Sequence, residues 1–204
     1  MSRERDLDAH LDRVLVGGRE RRAIVISDYD AAWPERFTAE RDRIAAALGS
    51  LARRIAHVGS TAVPGLAAKP VVDILVAVDD VEAEDAYRPP LERAGYRLRV
   101  REPGHRMFRT PERDVHVHLW PVGGDDERRQ LLFRDRLRAS PADRESYERV
   151  KRALARREWR DMNHYADAKG TVVAEIMGRA ERWAGRTRWA PPRLTAQGQL
   201  PPSR

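Results

Sequence analysis

The chain has 204 residues, a formal net charge of +7 and no cysteine. That length suits one core-bearing domain rather than two, and the missing cysteine excludes disulfides, a thiolate nucleophile and any cysteine-ligated zinc or iron–sulfur centre. The positive balance keeps RNA open as a partner, but only three of the 39 basic residues are lysines, and the arginines alternate with Asp and Glu along helical stretches, as on a solvated, salt-bridged surface.

Residues 1–20 form an N-terminal extension with Leu7, Leu11, Val14 and Leu15 at helical spacing. It has no apolar core of the kind a signal peptide needs, and the longest apolar run, 71–78, is broken by Asp73. The expectation is a cytoplasmic protein without a membrane span. A main domain is expected over 21–184. It opens with a strand at 22–27, and a turn over 28–34 leads into a helix ending near Gly49 that buries Phe37, Ile44, Ala47 and Leu48. A short strand, 55–58, runs into Gly59-Ser60-Thr61, and a crossover leads to the apolar strand 71–78. Next comes a helix over 81–94, interrupted or bent at Pro89-Pro90. Strands follow at 96–101 and 106–110 around Pro103-Gly104, then an alternating strand at 114–120. Helices are expected at 125–138, at 141–158 behind Ser140-Pro141, and at 162–183. The Pro-, Gly- and Arg-rich segment 185–204 reads as a disordered tail. The order predicts an α+β (α/β) fold with a mixed sheet and a C-terminal helical cap.

Gly59-Ser60-Thr61 follows directly on a strand, where backbone amides and hydroxyls can approach a phosphate closely. Ten residues of crossover separate it from Asp73, an acid inside an apolar strand. A carboxylate there needs hydrogen bonds, a cation or a metal, so Asp73 is either a structural anchor or a ligand. Alternation sends Asp114, His116, His118 and Trp120 to one face of the later strand. Imidazoles at i and i+2 can bind one metal, flank a phosphate or hydrogen-bond within a polar sheet face. His57 reads as structural. Tyr147 with Lys151 and Tyr165 with Lys169 each share a helical face; together with Lys69 they can cover a phosphate cleft or simply tie loops and helices together. Arg106, Arg109 and Arg134 are candidates for anion contact.

The Gly-Ser step followed by an acid in a strand resembles the Gly-Ser plus Asp-x-Asp pattern of DNA polymerase beta-like nucleotidyltransferases. That resemblance implies magnesium on the acids and a triphosphate on Gly-Ser. It places His116 and His118 near Asp73, and Leu75 where the second acid would stand. A longer match covers 28–184. It includes Tyr29-Asp30-Ala-Ala-Trp33-Pro34, the run from His57 through Gly59-Ser60-Thr61 and Lys69-Pro70 to Asp73, His105-Arg106, and His116-Val-His118. It continues through Leu131-Leu-Phe-Arg134-Asp135, Tyr147 with Lys151 and Tyr165 with Lys169. This pattern resembles the GrpB family, whose domain is also found fused to some bacterial dephospho-CoA kinases. A kinase portion with a phosphate-binding Gly-Lys loop is absent from the sequence.

The resemblances imply a nucleotidyltransferase-like core and an enzyme transferring a nucleotidyl or phosphoryl group. Asp73, Ser60 and Lys69 would be its catalytic residues. Gly59, Ser60, Thr61, Lys69, Arg106, Arg134, Lys151 and Lys169 would hold phosphate, and Asp73, His116 and His118 a divalent metal, Mg, Mn or Zn. The alternative is a non-catalytic module binding a nucleotide or CoA-like phosphate ligand.

Overall fold

In the computed structural model, which describes residues 2–194, the alternating segments become β1 (Arg54–Val58), β2 (Val72–Val78), β3 (Arg97–Glu102), β4 (His105–Arg109) and β5 (Val115–Pro121). They form one mixed sheet in the order β1-β2-β5-β4-β3, in which β2 and β5 are parallel and the other neighbours antiparallel. The helices are α1 (Ser2–Val14), α2 (Ala32–Leu48), α3 (Glu84–Arg93), α4 (Asp125–Ala139), α5 (Pro141–Ala155), α6 (Met162–Ala168) and α7 (Gly170–Thr187). The α+β class and the C-terminal helical cap agree with the sequence. No helix among the described residues is long and apolar enough to cross a membrane.

The period-two pattern divides the sheet between two layers. One face carries Val72, Ile74, Val76 and Val78 of β2 with Val115, Val117 and Leu119 of β5, packed under Phe37, Ile44 and Leu48 of α2 and Tyr87 and Leu91 of α3. On the other face Ala56, Val58, Leu75, Ala77 and Trp120 pack against Leu131 of α4. The helical cap holds itself together through small residues: Ala180 and Ala184 of α7 let it lie close to α4 at Leu132. A further cluster joins Val63 and Leu66 of the crossover to Leu137, Tyr147, Val172 and Ile176. This cluster seats the segment between β1 and β2 on α4, α5 and α7.

Four expectations change. Residues 22–27 are extended but form no strand: only Ser27 bridges Ala68, and Val25 is 59% exposed, because the segment lies along the crossover and not along a sheet edge. The helix expected over 81–94 with an interruption or bend at Pro89-Pro90 runs uninterrupted from Glu84 to Arg93 with both prolines inside it. The single helix expected over 162–183 is two, divided at Lys169 and Gly170, where glycine weakens helical continuation. The segment expected to be disordered from 185 completes α7 through Thr187. Trp189 then packs on the helical cap and donates its Nε1–H to Asp135 at 3.1 Å, since an indole of that size finds more apolar contact on the domain than in water. Positions 195–204 of that expected tail lie outside the described residues.

Candidate functional site

The parallel pairing of β2 with β5 sets Asp73 opposite His116 and Leu75 opposite His118, so all four side chains share one face. The Asp73 Oδ1 atom lies 3.3 Å from His116 Nδ1 and 3.7 Å from His118 Nε2. One donor atom from each of the three residues falls within 4.8 Å of the others. Donors on a tetrahedral ion about 2.1 Å away sit roughly 3.4 Å apart, so the two Asp73 separations suit a shared cation. One carboxylate with two imidazoles is a donor set for zinc, manganese or iron rather than for magnesium, which favours all-oxygen coordination. Burial pushes the Asp73 carboxyl up, but hydrogen bonding and charge from the His116 imidazole, and from His118 whenever its Nε2 carries a proton, outweigh it and hold the group well below the usual carboxylate range. Leu75 is fully buried against the α4 layer. A second acid at that position would be an unpaired charge in the core.

The antiparallel pairing of β1 with β2 puts Val58 opposite Asp73, so the chain turns over the Asp73 carboxylate as it leaves β1. The turn residue is Gly59, at φ 68° and ψ −171°, a region essentially restricted to glycine. A Cβ there would lie 2.4 Å from Asp73 Oδ2. Position 59 therefore requires glycine on two independent grounds.

The next residue faces a different group. Lys151 Nζ donates to Ser60 Oγ at 3.0 Å and also to the Ala67 carbonyl. Its ammonium sits 4.7 Å from the Tyr147 ring centroid. Lys69 and Lys169 lie 5.5 and 5.0 Å from the Tyr165 ring centroid. All three lysines of the chain thus collect around the crossover and the start of the cap. Burial pushes the Lys69 ammonium down to about 8 and that of Lys151 to about 7, with the Lys169 charge adding to both; burial lowers Lys169 too, offset in part by Asp73. Tyr165 Oη is buried with no hydrogen-bond partner among protein atoms, although buried hydroxyls are normally paired. A cluster of desolvated cations beside an orphan hydroxyl is suited to receive an anion.

Three of the expected phosphate ligands are engaged elsewhere. Thr61 is buried and uses its hydroxyl on His57 Nε2, at 3.0 Å, and on the Val71 carbonyl, at 3.1 Å. Arg106 pairs across β4 and β5 with Leu119, hence on the face away from Asp73; its guanidinium binds Glu82 at 2.6 Å, Glu84 at 3.0 Å and the Glu102 carbonyl. Arg134 is buried and ties α4 to β1 by donating to the His57 carbonyl at 3.0 Å and to Asp135. Arg106 and Arg134 are satisfied by partners far along the chain, which no local pattern could reveal, and Thr61 by residues on either side of its own turn. Arg109 likewise makes a bidentate pair with Glu20 at 2.9 and 2.6 Å. His57 is structural as expected: it stacks on Phe37 with centroids 4.8 Å apart, and burial pushes its imidazole down to about 4.

Sequence reasoning assigned no role to Arg138, which donates to the Ala62 carbonyl at 2.9 and 2.7 Å and pins the Gly59-Ser60 turn to α4. Nor did it connect His105 to His118, whose ring nitrogens approach to 3.1 Å.

The GrpB protein family model matches residues 23–179. The chain belongs to the GrpB family. A UPF0157 protein of Streptomyces coelicolor is 54% identical over 166 residues, covering 81% of this chain and 89% of that protein. The crystal structure of the conserved protein GrpB from Enterococcus faecalis matches with a TM-score of 0.70 at 32% identity, over 78% of this chain and 99% of that one. A dephospho-CoA kinase of Mycobacterium tuberculosis is 31% identical over 191 residues, covering 79% of this GrpB family chain but only 47% of the kinase.

Proposed function

We propose that this GrpB family protein is a metal-dependent enzyme that transfers a nucleotidyl or phosphoryl group from a phosphate-bearing small molecule. The observation that carries the proposal is the Gly59-Ser60 step: Gly59 abuts the Asp73 carboxylate, and the adjacent Ser60 is held by Lys151. One turn therefore joins a metal-suited triad to a lysine cluster. Asp73, His116 and His118 would hold the cation, which when bound supplies Lewis-acid polarisation of a phosphoryl oxygen. Ser60 and the ammonium groups of Lys69, Lys151 and Lys169 would bind the phosphate oxygens and neutralise charge developing on them. The backbone at Gly59, free of a Cβ, lets the turn close onto the Asp73 carboxylate and so sets Ser60 next to the cation-binding residues.

The resemblance of the Gly59-Ser60 step and Asp73 to the sequence pattern of nucleotidyltransferases supports the transfer chemistry, and the partial match to a dephospho-CoA kinase supports a phosphate-bearing ligand only at the level of ligand class. A second reading, a binding module without turnover, is favoured by one observation. Leu75 occupies the place of the second acid and is fully buried, whereas two-metal phosphoryl transfer depends on several carboxylates.

The two readings separate in one experiment. Metal-free protein is melted with nucleoside triphosphates, dephospho-CoA and CoA, each with Mg²⁺, Mn²⁺ or Zn²⁺, and pyrophosphate or phosphate release is assayed alongside. A metal-dependent rise in melting temperature with product release, both lost in Asp73→Asn, is the expected result. A shift without release selects the binding module, and no shift with any pair overturns both.

A further inference from the structure

A chain of polar groups runs from the N-terminal helix to the metal-suited triad. His10 of α1 reaches Glu102 Oε2 at 3.3 Å. Glu102 Oε1 contacts His105 Nδ1 at 2.7 Å, and His105 Nε2 contacts His118 Nδ1 at 3.1 Å. The two imidazole planes differ by only 7°. Trp120 lies nearly parallel to both rings, its centroid 4.8 Å from that of His105 and 5.2 Å from that of His118, so neither imidazole turns freely.

The donor and acceptor roles in this chain follow from its end. An ionised carboxylate only accepts, so His105 donates from Nδ1. A neutral imidazole with its proton on Nδ1 has an acceptor at Nε2, so His118 donates from its own Nδ1. Its Nε2 is then a bare lone pair, and it faces Asp73 Oδ1, another acceptor, 3.7 Å away. Two lone pairs facing each other at that separation call for a cation between them.

We propose that Glu102 and His105 are positioning residues that fix His118 in its Nδ1–H tautomer and aim its Nε2 at a divalent cation shared with Asp73. This inference rests on the metal-binding reading given above. A metal-bound histidine whose second nitrogen is held by a carboxylate, directly or through another group, is oriented and made more basic, and loss of such a partner lowers metal affinity 10–100-fold. Here the carboxylate acts through a second imidazole. The β3–β4 hairpin supplies both outer members, and β5 supplies the ligand.

The experiment combines a metal-free and a metal-bound readout. At about pH 8.5, well above the ordinary imidazole value of about 6.5, the ring ¹⁵N shifts of His118 report its tautomer in the metal-free full chain. Zn²⁺ titration calorimetry then compares wild type, His105→Phe, which keeps a flat ring beside Trp120, and His105→Gln, whose amide oxygen can accept from His118. The expected result is an Nδ1–H tautomer in wild type, lost in His105→Phe together with a 10–100-fold fall in Zn²⁺ affinity, and partly restored in His105→Gln. If His105→Phe fails to fold, Glu102→Ala gives the same comparison. A wild-type His118 protonated on Nε2, or Zn²⁺ affinity unchanged in the variants, overturns the relay. Failure of wild type to bind Zn²⁺ while His118 keeps the Nδ1–H form contradicts the metal site but not the tautomer lock.

Discussion

Gly59 carries two constraints at once, a backbone conformation reserved for glycine and direct contact with Asp73. Gly59→Ala is expected to cost about 1–3 kcal/mol from backbone strain alone and, by displacing the carboxylate, to abolish metal-dependent ligand binding even where the protein still folds. Equilibrium urea unfolding with Zn²⁺ titration checks both effects. Arg106 gives the opposite outcome. Arg106→Met leaves Glu82 and Glu84 without their shared partner; because Glu82 is exposed and Glu84 keeps Arg88 and Arg101, the expected loss of stability is about 1–2 kcal/mol, without a change in ligand affinity, since the side chain lies on the far face of the sheet. His57 supplies a pH dependence. Its folded value of about 4 lies below the unfolded 6.5, so its stabilisation is complete above pH 6.5 and is lost as the pH falls toward 4, where the unfolded chain takes up the proton first. Between pH 7.5 and 5 wild type should lose about 2 kcal/mol more than His57→Gln, measured by urea midpoints at the two pH values. At this scale the sequence was informative where composition was unusual. Three lysines among 39 basic residues pointed to the cluster, whereas the roles of Thr61, Arg106 and Arg134 depended on partners brought close only by folding.

Among the elements, the strands were the most legible. Alternation alone put Asp73, His116 and His118 on faces that the parallel β2–β5 register then merged into one. The apolar run 23–26 misled, because such a segment becomes a strand only where a sheet edge is open to it, and this one runs beside the crossover. The long C-terminal helix was read as continuous since its apolar spacing survives the break at Lys169, although that break lies at the residue that brings its ammonium to Tyr165. The part of His105 was illegible because it requires knowing that β4 lies beside β5, with Met107 opposite His118. Packing of the cap gives a test at this scale. Ala180 is fully buried where α7 approaches α4, so Ala180→Leu should force the helices apart and cost about 1–3 kcal/mol. Thermal unfolding should reveal that loss.

Over the whole molecule, the charge of +7 is dispersed largely as ion pairs. Arg128 binds Glu181 with two bonds of 2.7 Å, Arg19 bridges Asp8 and Asp12, and Asp143 receives Arg136 and Arg179. Such a surface is a poor polyanion track, and the concentrated basic groups are instead the half-buried Lys69 and Lys169 with the buried Lys151. The architecture therefore places the proposed cation site and the proposed anion site on consecutive residues of one turn. The proposal that they act as a single site is tested most directly by binding linkage. Mn²⁺ is titrated by calorimetry into wild type and Lys151→Met, with and without saturating ATP as the phosphate probe. Coupling between two ligands must be reciprocal, so the account predicts that ATP tightens Mn²⁺ binding in wild type beyond its own chelation of the metal, and that Lys151→Met weakens this coupling while sparing Mn²⁺ affinity without ATP. Mn²⁺ binding that ignores ATP, or coupling unchanged in Lys151→Met, would contradict it.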